Sequence, residues 1–201
     1  MLKKLLQNKR FRRIVDDALG ENNLLDIILF GSVVRGKDEP RDIDLIFLYA
    51  FKEDKEYSYE LKKKFEKAGF KAHILGMGYS GLLEPSFLAR EGVLLEGYSF
   101  RNKQFLSSAF GFSSFVLFRY TLKGMNNSKR MKFYYSLYGR RSVIGVLETF
   151  RSYKFSDNLI VSPIEQADNI KGFFESNGIR FDVINVLLPT RISSRKFLEF
   201  T

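Results

Sequence analysis

The sequence predicts an α/β chain of the α+β kind in two parts. One is a small mixed sheet with helices over residues 1–100; the other is a basic α+β domain over residues 101–201. Three observations carry this. The apolar runs Leu24–Phe30 and Asp42–Tyr49 are too short and too apolar for surface helices, and lie too close together for a crossover helix, so they read as paired antiparallel strands. Segments of helical period flank them. At residue 100 the charge balance changes: Lys and Arg number 17 against 16 Asp and Glu before it and 16 against 7 after it, within a net charge of +10.

The elements follow in order. Lys9–Leu19 carries Phe11, Ile14, Val15, Ala18 and Leu19 at helical spacing and is closed by Gly20. After the two strands, Tyr57–Ala68 is a lysine-rich helix ended by Gly69. Phe70–Leu75 is a third strand, with Lys71 and His73 on one face and Ala72 and Ile74 on the other. Glu84–Leu95 reads as a helix with Pro85 in its first turn. Beyond residue 100, Phe115, Phe118 and Leu122 have helical spacing, and Asn127–Tyr138 is a helix. Asn158–Ser162 is a strand, Ile164–Asn177 a helix closed by Gly178, and Ile179–Leu188 a last strand before Pro189.

Composition excludes several chemistries. Without cysteine there are no disulfides, thiol nucleophiles or Cys-based metal sites. A single histidine, His73, excludes any two-histidine metal site. The N-terminal MLKKLLQNKRFRR has no apolar core or cleavage signal, so a signal peptide is not expected. The apolar run Phe105–Phe118 is short and broken by four serines and Gly111, so no membrane span is expected either. The expected location is cytoplasmic.

The chemistry concentrates in residues 24–48, LLDIILFGSVVRGKDEPRDIDLIFL. A strand ends in Gly31-Ser32, and the returning strand opens on Asp42-Ile43-Asp44. Glycine lets the backbone turn closely, and Ser32 with the following N–H groups suits phosphate oxygens. Arg35 and Lys37 stand near enough to add charge-assisted contacts. Carboxylates two apart on a strand share a face, roughly 7 Å apart at Cα, and hard oxygens of this kind suit Mg2+ or Mn2+. Gly31–Lys37 also fits the phosphate-loop pattern G-x-x-x-x-G-K. That reading fails because Asp38 stands where Ser or Thr is required and Pro40 and a strand follow in place of a helix.

Apolar-Gly-Ser, a spacer and Asp-apolar-Asp-apolar resembles the nucleotidyltransferase superfamily of the DNA polymerase beta type, in its minimal form, over about residues 10–100. Residues 88–98, LAREGVLLEGY, are similar to the segment after the third strand of those proteins. The resemblance implies transfer of a nucleoside monophosphate from ATP or another nucleoside triphosphate to an RNA or protein acceptor. It implies metal on Asp42 and Asp44 and phosphates at Gly31, Ser32, Arg35 and Lys37. A third carboxylate on a later strand normally serves as general base. Here that strand holds Lys71 and His73 instead, so three explanations stand: His73 replaces the acid as base or ligand, the acid is Glu66, Glu91 or Glu96, or catalysis is lost and a nucleotide-binding or scaffold domain remains.

Residues 101–154 hold eleven Lys and Arg, a single acid (Glu148) and twelve aromatic residues. Most of the aromatics read as core. The cations Lys129, Arg130, Lys132, Arg140 and Arg141 read as a nucleic-acid surface, with RNA preferred by analogy with the superfamily. An acidic protein partner is the alternative.

Overall fold

Asn8 separates the two opening helices, α1 (Leu2–Gln7) and α2 (Lys9–Ala18), and caps the second: its Oδ1 accepts from the N–H groups of Arg10 and Phe11 at 3.0 and 3.1 Å. The computed structural model describes residues 2–21, 23–37 and 39–192; Asp38, which excludes the phosphate-loop reading, lies outside them. The chain divides into two units, Met1–Phe110 and Gly111–Thr201.

In the first unit, β1 (Leu24–Phe30) leads through a short 3-10 turn, Gly31–Val33, towards β2 (Ile43–Tyr49). Helix α3 (Lys55–Lys67), capped by the Asp54 side chain, connects to β3 (Ala72–Gly78). Then come a 3-10 turn at Tyr79–Leu83, α4 (Arg90–Glu96), β4 (Tyr98–Ser99), β5 (Gln104–Phe105) and α5 (Leu106–Ala109). The sheet order is β3-β2-β1-β4-β5. β1 pairs antiparallel with β2 and β4, and β2 pairs parallel with β3. This is the small mixed sheet expected for residues 1–100.

Both faces of that sheet are buried. Leu29, Leu45 and Phe47 pack with Phe11 and Phe65 from the helices, while Ile28, Ile46 and Leu48 on the other face pack with Val93, Met77, Leu82 and Phe87. Each fully buried Leu, Ile or Phe contributes about 1.5–3 kcal/mol, so these strands are held from two sides.

Three expectations in this unit are corrected. Of the helix expected over 84–95 only the part from Arg90 is α-helical, ending at Glu96, and Pro85 lies in the irregular chain that precedes it. β3 begins at Ala72, so Phe70 and Lys71 precede it. The boundary expected at residue 100 falls after Phe110, because β4 and β5 extend the first sheet and Leu106 N–H donates to the Gly97 carbonyl.

The second unit starts with β6 (Phe112–Thr121), followed by α6 (Asn127–Tyr138), the hairpin β7 (Gly139–Arg140) and β8 (Val143–Ile144), and α7 (Val146–Thr149). β9 (Tyr153–Ser156), β10 (Leu159–Pro163), α8 (Ala167–Ser176) and β11 (Arg180–Pro189) complete it. Its main sheet, β11-β6-β10-β9, is antiparallel throughout. Phe115 and Phe118, expected on a helix, lie on β6 instead. Val116, Phe118 and Tyr120 face one core cluster with Phe133, Ile170 and Phe174, whereas Phe115 joins Val161 in another. A strand buried on both faces mimics helical spacing. Among the described residues, no helix is long and apolar enough to cross a membrane.

Candidate active site

Gly31 has φ +80°, in the region that favours glycine. A Cβ added there would stand 2.4 Å from Asp44 Oδ2. The carboxylate therefore fills the space where a side chain at residue 31 would be, and the Gly-Ser turn and the second aspartate form one contact. Strand register brings this about, since Phe30 lies opposite Asp44 across the β1–β2 ladder. Val33 and Val34, 1% and 0% exposed, anchor the turn into the core, so the loop is held firmly under the half-buried Ser32. Lys37 is exposed, and its N–H donates to the Ser32 carbonyl at 3.0 Å.

Asp42 lies on the bend just before β2 and not within it as expected. The strand begins at Ile43, whose N–H donates to the Lys71 carbonyl at 2.8 Å. Burial pushes the Asp44 carboxyl above its ordinary range; the negative charge of Asp42 adds to that, and His73 and Arg35 oppose it. A raised carboxyl beside another carboxylate is the electrostatic condition that a cation relieves.

His73 occupies the position across the parallel ladder from Asp44, with Nδ1 3.4 Å from Asp44 Oδ1. The strand expected to carry a third acid is therefore abreast of Asp44, and it presents an exposed imidazole. Among the described residues, no group of three or more His, Asp or Glu side chains is gathered as a metal site. Asp42 and Asp44 offer hard oxygen donors, and the rest of an octahedral shell would come from phosphate oxygens and water.

Two residues behave differently from expectation. Arg35, expected on the phosphates, directs Nη1 at both oxygens of Glu96, 2.9 and 2.7 Å away. Its side chain is held towards the protein because Glu96 is buried and requires a counter-charge. Glu96, considered as a substitute third acid, also accepts the Gly31 N–H at 2.9 Å, so its oxygens are engaged by the loop. The other two candidates are exposed; Glu66 pairs with Lys62 at 4.0 Å along α3, and Glu91 sits in the first turn of α4. The Glu96–Gly31 link was not legible in the sequence beyond an acid placed against an apolar run before a glycine.

In the second unit, Lys129 and Lys132 are exposed on α6. Arg140 and Arg141 lie on the following hairpin. Arg140 stacks over the Tyr135 ring at 4.4 Å, and Arg141 has φ 55° in the turn. Arg130 departs from this group. It is half-buried, its Nη2 donates to the Leu122 carbonyl at 3.2 Å, and its Nε is buried with no hydrogen-bond partner.

No protein-family model and no curated protein matches the sequence. Solved structures are similar over part of the chain, among them three toxin–antitoxin structures. One is a mutant of the toxin–antitoxin MntA–HpeT (20% identity, 49% of this chain and 71% of that one, TM-score 0.35). Another is a tri-AMPylated Shewanella oneidensis HEPN toxin in complex with MNT antitoxin (22%, 49% and 71%, TM-score 0.34). The third is a toxin–antitoxin with AMP-PNP (23%, 45% and 68%, TM-score 0.35). Likeness of this size is too slight to bear on function, which rests on the chain's own residues.

Proposed function

We propose that the first unit binds a nucleoside triphosphate, ATP or another, with Mg2+ or Mn2+, and transfers the nucleoside monophosphate to an acceptor hydroxyl on RNA or protein: the hydroxyl oxygen bonds to the α-phosphorus as the bond to the β-phosphate breaks, and pyrophosphate leaves. The observation that carries this is the contact of Gly31 with Asp44, which unites a phosphate-type turn with a half-buried carboxylate that has a second carboxylate, Asp42, near it. Asp42 and Asp44 would hold the metal, whose charge would neutralise the phosphates when bound. Ser32 and the turn's N–H groups would orient the phosphate chain. His73, abreast of Asp44, would accept the proton of the acceptor hydroxyl, the role a carboxylate normally fills. Lys129, Lys132, Arg140 and Arg141 of the second unit would hold RNA through its phosphates; Arg130 supports α6 and contributes charge only.

A second reading has its own observation. With no group of three acidic or histidine ligands among the described residues, the unit would serve as a nucleotide-binding module without transfer.

Triphosphate binding with and without Mg2+ or Mn2+, followed by label transfer from α-labelled ATP, separates the two. Metal-dependent binding abolished in Asp42→Ala/Asp44→Ala, together with label transfer lost in His73→Ala, is the expected result. Binding without any transfer selects the module, and no binding by folded wild type removes both. For RNA, replacing Lys129 and Lys132 by Gln should weaken binding and reduce the salt slope by about one for each lost phosphate contact.

A further inference from the structure

Glu96 is 8% exposed, and its carboxylate meets two donors from one loop, the Gly31 N–H and the Arg35 guanidinium. It comes from α4, far along the chain, and its placement depends on the next residue. Gly97 approaches so closely that an added Cβ would meet the Val93 carbonyl at 2.3 Å, Leu106 Cδ1 at 2.9 Å and Ile28 Cγ2 at 3.1 Å. Without a side chain there, the end of α4 seats directly on β1, and Glu96 reaches the turn that follows that strand.

Gly31 is consequently gripped twice. Asp44 occupies the space of its missing side chain, and Glu96 accepts its N–H. With φ at +80° the peptide could rotate at little cost if left alone, because glycine has the widest conformational freedom of any residue. Arg35 offsets the buried charge of Glu96 and also contributes to the field at Asp44.

We infer that Glu96 is the positioning residue of this site: it fixes the Gly31 peptide through its N–H, and Arg35 through its charge, and thereby sets the geometry of the turn against Asp44. Insofar as the turn receives phosphate, the inference rests on the function proposed above. Glu96 touches neither the nucleotide nor the acceptor in this scheme; it acts through Gly31 and Arg35.

The test follows amide exchange at Gly31 by NMR in the full chain, alongside Mg2+–ATP binding, in wild type, Glu96→Ala and Glu96→Gln. Glutamine keeps an oxygen that can accept the Gly31 N–H, whereas alanine does not. In Glu96→Ala, Gly31 exchange should accelerate about tenfold or more, the scale of one charge-assisted hydrogen bond, while the amides of Leu29 and Leu45 keep their protection. ATP affinity should fall by a similar factor, and Glu96→Gln should restore most of both. Unchanged Gly31 exchange in Glu96→Ala overturns the inference, as does accelerated exchange with ATP binding intact. If Glu96→Ala does not fold, Glu96→Gln decides alone, and an accelerated Gly31 there overturns the inference. If wild type binds no triphosphate, the proposed function fails, and Gly31 exchange still tests whether Glu96 holds the turn.

Discussion

The two units handle charge in opposite ways. Among the described residues, the first buries two carboxylates, Asp26 and Glu96, and satisfies both with donors from the chain. Asp26 accepts from the Ser99 hydroxyl, the Arg101 N–H and the Ile27 N–H, and the Arg101 guanidinium reaches the carbonyls of Leu19, Leu24 and Leu25. The buried polar residues of the second unit, among those described, are Ser152 and Ser162, with one hydroxyl donating to the other at 3.0 Å. Its core is aromatic, with Phe174 ringed by Phe118, Tyr120, Phe133, Phe173 and Phe181. Buried charge demands a specific geometry, and rings demand only shape. The first unit is therefore organised around polar positioning, and the second around a stable body that carries cations on its outside.

The comparison breaks most visibly at the cores. Phe11→Ala, which empties the space between Phe65, Phe70 and Phe100, and Phe174→Ala should each cost about 3–5 kcal/mol. Each loss should register in its own unit's amides by hydrogen exchange. If Phe11→Ala raised exchange across the second core equally, the units would not be separate in stability.

Next comes Gly31→Ala. Left-handed φ strain of about 1–2 kcal/mol, plus displacement of Asp44, should lower the stability of the first unit and abolish metal-dependent triphosphate binding. Gly178→Ala in the second unit, also at positive φ but with nothing within 4 Å of an added Cβ, should show the strain alone. Chemical denaturation of the two variants compares them.

Asp26→Asn sharpens the contrast through pH. Burial raises the folded-state pKa of Asp26 above its ordinary 3.8, so the native state holds the proton more tightly than the unfolded chain. Stability from this group is thus present in acid and declines as pH rises from about 3.8 through the raised value, then levels off. In Asp26→Asn that decline should be absent from urea midpoints measured across pH 3–7. A wild-type profile identical to the variant's would show that the hydrogen bonds fully offset burial.

The smallest effect belongs to the surface of the second unit. Arg119 and Asp182 pair at 2.8 Å across β6 and β11, but both side chains are more than half exposed. Arg119→Met should change stability by no more than about 1 kcal/mol, and less still in high salt.

Much of this was legible in the sequence. The bounds of β1 and α6 coincide with their apolar run and their polar flanks, and the Gly31-Ser32 and Asp42-Ile43-Asp44 pairing reports the register that joins them. What could not be read depends on distant partners or hidden periodicity. Phe115 and Phe118 lie on opposite faces of a strand that is covered on both sides, so no alternation of polar and apolar residues marks it. Glu96 meets Gly31 across 65 residues of chain, and no local pattern records that meeting. A cation near a Gly-Ser turn suits phosphates, and nothing in the local sequence around Arg35 reveals that a buried charge, Glu96, lies within its reach.

The pairing of Phe30 with Asp44 also bears on how the chain folds. Gly31 and Asp44 belong to one hairpin-like unit, whereas Glu96 and His73 come from later segments of the chain. A slip of a single residue in that ladder would move Asp44 from the face it shares with Ile46 and Leu48 to the one filled by Leu29, Leu45 and Phe47, and bring Ile43 or Leu45 to the turn. The half-site of turn and carboxylate is thus decided when the first two strands zip together.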